Sequence, residues 1–309
     1  MKGKKHFIIL AALCLFSLHT HYAAAQADWD QFRGASRDGS ASGSARLSAW
    51  PETGPKVKWT REIGSGFSEI LISGDRIYTM FAEKADSLTG WEYVASFDAA
   101  TGREIWRTEL DSVFIDVDGW GDGPRSTPAM DGNWLYCFTG HGKLFAVSRM
   151  DGSIRWSVDF VKEFESTLPR WGFSASPILM DQYVIMEVGG SRGRAFVAFD
   201  SESGKVVWSA GEGEAMYSSP ITANINGQEQ VIFVNGRNMV SFNNQGKVLW
   251  THNMPIGNPM ASPVFIPPTR IFASANNGAG SFVVEPGTGN TSEIFQSSAM
   301  KNDWSSSVY

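Results

Sequence analysis

The stretch Phe97–Trp106, "FDAATGREIW", reads as a strand end, a turn around Gly102 and a new strand carrying Trp106. It is one of four. "VSRMDGSIRW" (147–156), "FDSESGKVVW" (199–208) and "FNNQGKVLW" (242–250) repeat it, each with a glycine four residues before a tryptophan. The pairs are Gly102/Trp106, Gly152/Trp156, Gly204/Trp208 and Gly246/Trp250. A second landmark keeps step with the first: a hydroxyl residue and a proline open an apolar strand at Thr127-Pro128, Ser176-Pro177, Ser219-Pro220 and Ser262-Pro263. From Pro128 the prolines advance by 49, 43 and 43 residues. Ser68-Glu69 and Ser306-Ser307 are degenerate copies at either end.

A period in the forties with several short strands per unit is the mark of propeller blades. In the second unit "STPAM", "WLYCFTG", "KLFAVS" and "SIRWSVDF" alternate as strands, separated by glycine-bearing turns. One such sheet cannot bury both faces, and stacking sheets around an axis solves that. The tryptophan is then expected on the outermost strand, wedged against the neighbouring blade. Burying such a ring removes ~150–250 Å² from water. The expected fold is all-β: a propeller of four-stranded antiparallel blades, with units beginning near residues 67, 126, 174, 217 and 259 and a sixth begun by "WSSSVY" (304–309). The stretch "VKWTREI" (57–63) reads as an outer strand without a blade of its own. The count implies a C-terminally incomplete ring whose open edges favour aggregation.

Residues 1–25 have a secretory layout: Lys2, Lys4 and Lys5, the apolar run Phe7–Leu18, then Ala23–Ala25. Leu13 stands before Cys14 where a lipid-anchor signal needs a small residue, so cleavage and export to the periplasm or beyond are expected. Residues 26–55 form an extended N-terminal segment and 56–309 the propeller. Export leaves Cys137 as the sole cysteine, which excludes an internal disulfide and a thiolate metal cluster. The net charge of −6 and the lack of a basic run argue against nucleic acid as a partner, and no long apolar segment follows the signal.

The Asp-x-x-x-Gly-x-x-x-Trp pattern at Asp98, Gly102 and Trp106, and at Asp200, Gly204 and Trp208, resembles the tryptophan-docking repeat of the pyrroloquinoline-quinone (PQQ) propeller superfamily. The opening "DWDQFRGASRDG" (28–39) is similar to the W-x-x-F-R-G start of exported bacterial PQQ-like repeat proteins. Ser148 and Asn243 replace the repeat aspartate, and the fifth unit shifts to Gly289 and Phe295. The resemblance implies an eight-bladed full form, with seven as the alternative. It also raises the question of a quinone. Dehydrogenases resembling this fold carry an adjacent-cysteine disulfide, a catalytic Asp, and Glu and Asn ligands to calcium. Cys137 is alone and no matching carboxylate cluster stands in these units, so neither PQQ nor calcium is the expectation.

Three further features bear on function. Asp116, Asp118 and Asp122 in "DVDGWGDG" are spaced somewhat like a calcium loop, but the twelfth position, which needs a bidentate Glu, is Thr127. A solvated insertion between blades is the plainer reading. Residues just before the Ser-Pro steps should face the axial funnel: Arg125, Trp171, Phe173, Tyr217 and Met260, with Trp304 in the partial unit. They either clamp a planar ligand, an anion or a peptide segment, or simply fill the channel top. His141 and His252 lack a nucleophile or zinc-type spacing. The leading expectation is a non-catalytic exported scaffold binding an envelope protein or small ligand; the alternative is a PQQ-dependent oxidoreductase of alcohols or sugars.

Overall fold

The computed structural model describes residues 28–41, 49–254, 257–276, 280–287 and 289–309; the secretory segment lies outside them. Its strands form five four-stranded antiparallel sheets, each an up-and-down meander in chain order. Blade 1 holds β1 (Leu71–Ser73), β2 (Arg76–Lys84), β3 (Gly90–Asp98) and β4 (Glu104–Ser112). Blade 2 holds β5 (Ala129–Met130), β6 (Trp134–Phe138), β7 (Lys143–Ser148) and β8 (Ile154–Asp159). Blade 3 holds β9 (Ile178–Met180), β10 (Tyr183–Gly190), β11 (Arg194–Asp200) and β12 (Val206–Ala210). Blade 4 holds β13 (Ile221–Ile225), β14 (Gln228–Asn235), β15 (Asn238–Phe242) and β16 (Val248–Asn253). Blade 5 holds β17 (Val264–Ile266), β18 (Arg270–Ala275), β19 (Gly280–Pro286) and β20 (Thr291–Ser297). The one departure from all-β among the described residues is α1, Phe160–Phe164, where a longer strand is expected from sequence. Asp159 ends β8 and caps this helix by accepting from Lys162 N, which turns Phe160 and Phe164 into the core between blades 2 and 3.

The recurring motif docks each blade to the next. The Trp106 ring lies over Gly152, Trp156 over Gly204 and Trp208 over Gly246, so close that a Cβ on these glycines would sit 2.6 to 2.7 Å from ring carbons. Only glycine admits that approach, and its positive φ closes the turn. Each indole N–H then donates to a carbonyl of the same turn: Trp106 to Arg149, Trp156 to Ser201 and Trp208 to Asn244, at 3.2, 2.9 and 2.9 Å. The motif aspartate builds the turn, Asp98 accepting from the Thr101 N–H and hydroxyl, and Asp200 from those of Ser203.

Trp250 departs from the pattern. It is buried between blades 4 and 5, in a cluster with Ile271, Phe282 and Val284, but its indole donates to Gln230 Oε1 of its own blade and no turn glycine seats it, since Gly289 has nothing within 4 Å of its Cβ direction. The shifted fifth turn offers it no seat. Conversely Gly102 receives Trp59, whose indole donates to the Ala99 carbonyl at 3.0 Å. Residues 57–63 form no strand, yet Trp59 docks as an outer-strand tryptophan would.

The hydroxyl–proline steps prove to be stitches around the axis. Glu69 N donates to Thr127 Oγ1 (2.9 Å), Thr127 N to Ser176 Oγ (3.0 Å), Ser176 N to Ser219 Oγ (2.9 Å) and Ser262 N to Ser306 Oγ (2.9 Å). Each hydroxyl thus satisfies the backbone of the preceding blade, which fixes the innermost strands as neighbours around a channel.

That channel is occupied by residues 28–39. Trp29 exchanges both backbone hydrogen bonds with Ile72 on the free edge of β1, and Asp30 O accepts from Met130 N of β5. Glu69 accepts from Trp29 Nε1 and Arg33 N. Arg33 reaches the Ser307 carbonyl, and the buried Arg37 reaches the carbonyls of Ser176 and Pro177. The segment read from sequence only as extended is therefore an axial strut linking blades 1, 2 and 3 to the sixth unit.

Candidate functional site: the funnel cavity

At the mouth of the channel lies a cavity of about 400 Å³, within the ~300–1,000 Å³ range of ligand pockets. Of the six residues assigned to the funnel from sequence, Arg125, Trp171, Tyr217, Met260 and Trp304 line it. The sixth, Phe173, does not. It is 1 % exposed and packs edge-on to Phe138, over Gly142. Trp171 and Phe173 share strand parity, but Gly172 between them adopts φ +75°, which breaks the alternation and turns the second ring into the core.

Other lining residues were not assigned to the funnel from sequence. Phe32 enters from the axial strut, and Phe67 from the start of blade 1. Ser174, Ser176 and Ser219 supply hydroxyls; those of Ser176 and Ser219 already accept backbone N–H groups, leaving their O–H bonds to donate. The loop 116–123 forms the rim. Trp120 stands 5.3 Å from Trp304, ring to ring, and both are more than half exposed, with Val117 beside them in sequence also exposed. Trp171 packs on Tyr217 at 5.2 Å. An aromatic surface thus runs from the cavity wall onto the outer face.

The polar groups are committed elsewhere. Arg125 is ion-paired with Asp116, their side chains 8 % and 1 % exposed, and its guanidinium lies 5.1 Å from the rings of both Phe67 and Phe114. Asp118 takes Arg170 on both oxygens, at 2.7 and 2.8 Å, plus the Trp171 indole at 2.7 Å. Those donors hold its carboxyl down to about 2. Asp122 takes Lys84 at 2.7 Å and the Asp116 amide. The three aspartates therefore diverge to three cations, and among the described residues no group of three or more His, Cys, Asp or Glu side chains is placed to share a metal ion. Their roles are to tie the rim down, Asp118 by bridging the loop to Trp171.

His141 is half-buried against Phe114 and contacts the Ser112 carbonyl; His252 meets Thr291 of blade 5. Cys137 is buried in β6, and burial pushes its thiol far up.

The family model described as outer membrane protein assembly factor BamB matches residues 90–307. The chain belongs to this family of PQQ-like repeat propellers. Its five-bladed arc is similar to BamB from Moraxella catarrhalis, at TM-score 0.51 and 15% identity, over 76% of this chain and 61% of that one. It is similar also to quinohemoprotein alcohol dehydrogenase from Comamonas testosteroni, at TM-score 0.54 and 15% identity, over 85% and 46%. Among curated relatives, quinohemoprotein alcohol dehydrogenase ADH IIB of Pseudomonas putida is 27% identical over 122 residues, 38% of this chain and 17% of the relative. The dehydrogenase subunit of the quinone alcohol dehydrogenase of Gluconacetobacter polyoxogenes is 32% identical over 126 residues, 39% and 17%. The matched part of this BamB-like propeller is under a fifth of the length of those curated relatives.

Quinone dehydrogenases resembling this fold stack the cofactor on adjacent cysteines and tie it to a cation through carboxylates. Here the one carboxylate lining the cavity, Asp116, is neutralised by Arg125, and Cys137 lies inside a sheet. The residues of this cavity do not fit the group.

Proposed function

We propose that this chain is an exported, non-catalytic scaffold of the cell envelope whose funnel face binds an apolar, aromatic-bearing segment of a partner protein. One observation carries the reading. The cavity presents aromatic walls continuous with exposed Trp120 and Trp304, while its only ion pair is internally balanced, so what it offers a ligand is apolar surface with a few hydroxyl donors. Exposed apolar patches joined to a concavity mark interaction sites. The envelope location is supported by the secretory layout of residues 1–25 and by the BamB description of the family. No helix among the described residues is long and apolar enough to cross a membrane.

The test is photo-crosslinking in the producing cell from a benzophenone amino acid at position 171, with the same probe at the exposed position 150 on the blade 2 turn as reference. A discrete adduct from 171 that disappears with Trp304→Asp supports the scaffold. A second reading, a PQQ-dependent oxidoreductase, is favoured by the quinoprotein names of the relatives. Titration of the purified protein with PQQ and calcium separates the two: a saturable quinone absorption band with dye reduction would establish the oxidoreductase and sink the scaffold.

A further inference from the structure

Glu187 stands where three of the other four blades place apolar side chains and blade 5 places Ser274. It pairs across the β10–β11 ladder with Phe196, four residues before the turn residue Asp200. At the same register blades 1, 2 and 4 carry Met80, Phe138 and Val234. Glu187 is 2 % exposed. Its Oε2 accepts from Met216 N at 3.2 Å and its Oε1 from Asn235 Nδ2, which also reaches the Glu214 carbonyl. No cation offsets the carboxyl, and burial pushes it up to about 8. The charged groups on the elements packed around it are spent or outside: Arg194 of β11 is held by the carbonyls of Ser191 and Phe164, and Glu212 and Glu214 are exposed. A buried acid in an apolar register costs stability, so a role other than packing is indicated.

The groups it holds belong to the funnel. Met216 directly precedes Tyr217, the ring that packs on Trp171 in the cavity wall. The connection is tight at this point, since a Cβ on Gly189 would meet the Ala215 amide nitrogen. We propose that Glu187 is a positioning residue of the funnel cavity: its carboxylate fixes the 211–217 loop through Met216 and Asn235, and proton uptake there releases Tyr217 from its place. The reason is donor arithmetic. Each carboxylate oxygen accepts one N–H, and protonation turns one of them into a hydroxyl, a weaker acceptor with a proton of its own to place, which loosens the clamp. The loop is exposed from Gly211 to Glu214, and at its far end the clamp acts beside the buried Ala215 and the Ser174 hydroxyl on the Tyr217 carbonyl. The inference rests on the funnel cavity being the binding site only for its consequence, not for its test.

The test is amide hydrogen exchange of the full chain between pH 6 and 9, corrected for intrinsic exchange, read at residues 211–218. In the parent protein the protection of Met216 should rise as pH passes upward through about 8, by a factor on the order of ten to a hundred, the worth of one hydrogen bond to a charged acceptor. Glu187→Gln should remove that pH dependence, and Glu187→Met, which restores the repeat's apolar type, should leave the loop unprotected while the strands of blade 2 stay protected. Equal protection of Met216 in Glu187→Met, or an unchanged pH profile in Glu187→Gln, would overturn the proposal. If Glu187→Met does not fold, the glutamine profile decides alone. Loss of the 171 crosslink with the exchange results intact would refute the scaffold reading and leave this one standing.

Discussion

The docking of each tryptophan on the next blade's glycine can be measured, because blade 5 carries an internal control. Gly204 and Gly289 are both left-handed turn glycines just before the outermost strand of their blades, with φ of +69° and +74°, but Gly204 lies under Trp156 and the displaced Gly289 has nothing within 4 Å of its Cβ direction. Alanine at either site adopts a left-handed backbone, at about 1–2 kcal/mol. At Gly204 alone the new Cβ would sit 2.7 Å from Trp156 Cδ2. That ring cannot swing away without losing its 2.9 Å hydrogen bond to the Ser201 carbonyl and its packing on Tyr136. Overpacking of this kind adds about 1–3 kcal/mol. The expectation is a loss of about 1–2 kcal/mol for Gly289→Ala and about 2–5 kcal/mol for Gly204→Ala, read from urea midpoints at constant m-value. Trp156→Ala should itself cost ~3–5 kcal/mol. In that background Gly204→Ala should fall back to the cost of its sister, a coupling that a double-mutant cycle isolates. Equal losses for the two glycines, or a Gly204→Ala penalty that survives removal of Trp156, would show that the rings do not dock the blades and that the repeat needs another explanation.

Three further outcomes follow from the same geometry. Ser176→Ala strands the buried Thr127 amide and should cost about 1–3 kcal/mol by denaturant melt, whereas Ser262→Ala, whose buried hydroxyl has no partner, should cost less than half as much. Asp116→Ala leaves Arg125 buried and unpaired, with an expected loss of about 3–5 kcal/mol that Asp116→Ala/Arg125→Met largely restores; calcium should not raise the melting temperature of either. Burial raises Glu92 to about 7 and Glu187 to about 8, above their unfolded values, so the folded state binds more protons between roughly pH 4.5 and 8. Their contribution is fully present below pH ~4.5 and lost as pH rises through those folded values, so stability should decline across that window, and Glu187→Met should flatten the upper part of the decline.

What the chain disclosed in advance was its periodicity, since glycine and tryptophan at fixed spacing report a local turn and a ring on the following strand. Which partner each ring meets depends on the neighbouring blade. Trp250 carries the same local motif as Trp208 and packs against the next blade, yet gives its N–H to Gln230 of its own sheet because the seat at Gly289 is displaced, a fact written forty residues further on. Trp59 shows the converse, docking on Gly102 without any strand around it. Four of the funnel's aromatic and sulfur-bearing walls were legible because the residues before each hydroxyl–proline step must end at the axis. Phe173 was misplaced by the left-handed Gly172, a backbone choice that glycine permits but does not announce. Phe32 and the strut could not be seen at all, because the contacts that seat them span up to 274 residues and leave no period behind. The hydroxyl–proline step itself was visible as a landmark but not as a mechanism. Its recurrence follows from a requirement no single blade reveals: at the crowded axis a strand that starts with proline has given up its own N–H, and the hydroxyl just before it serves the amide of the blade behind. The aromatic cavity exists because those stitches, running from blade 1 to blade 4 and again from blade 5 to the sixth unit, hold strand ends close enough for side chains from different blades to meet. A site assembled in this way depends on the links between blades more than on any one residue within it, so Ser176→Ala should disturb the place of Tyr217 as well as lower stability.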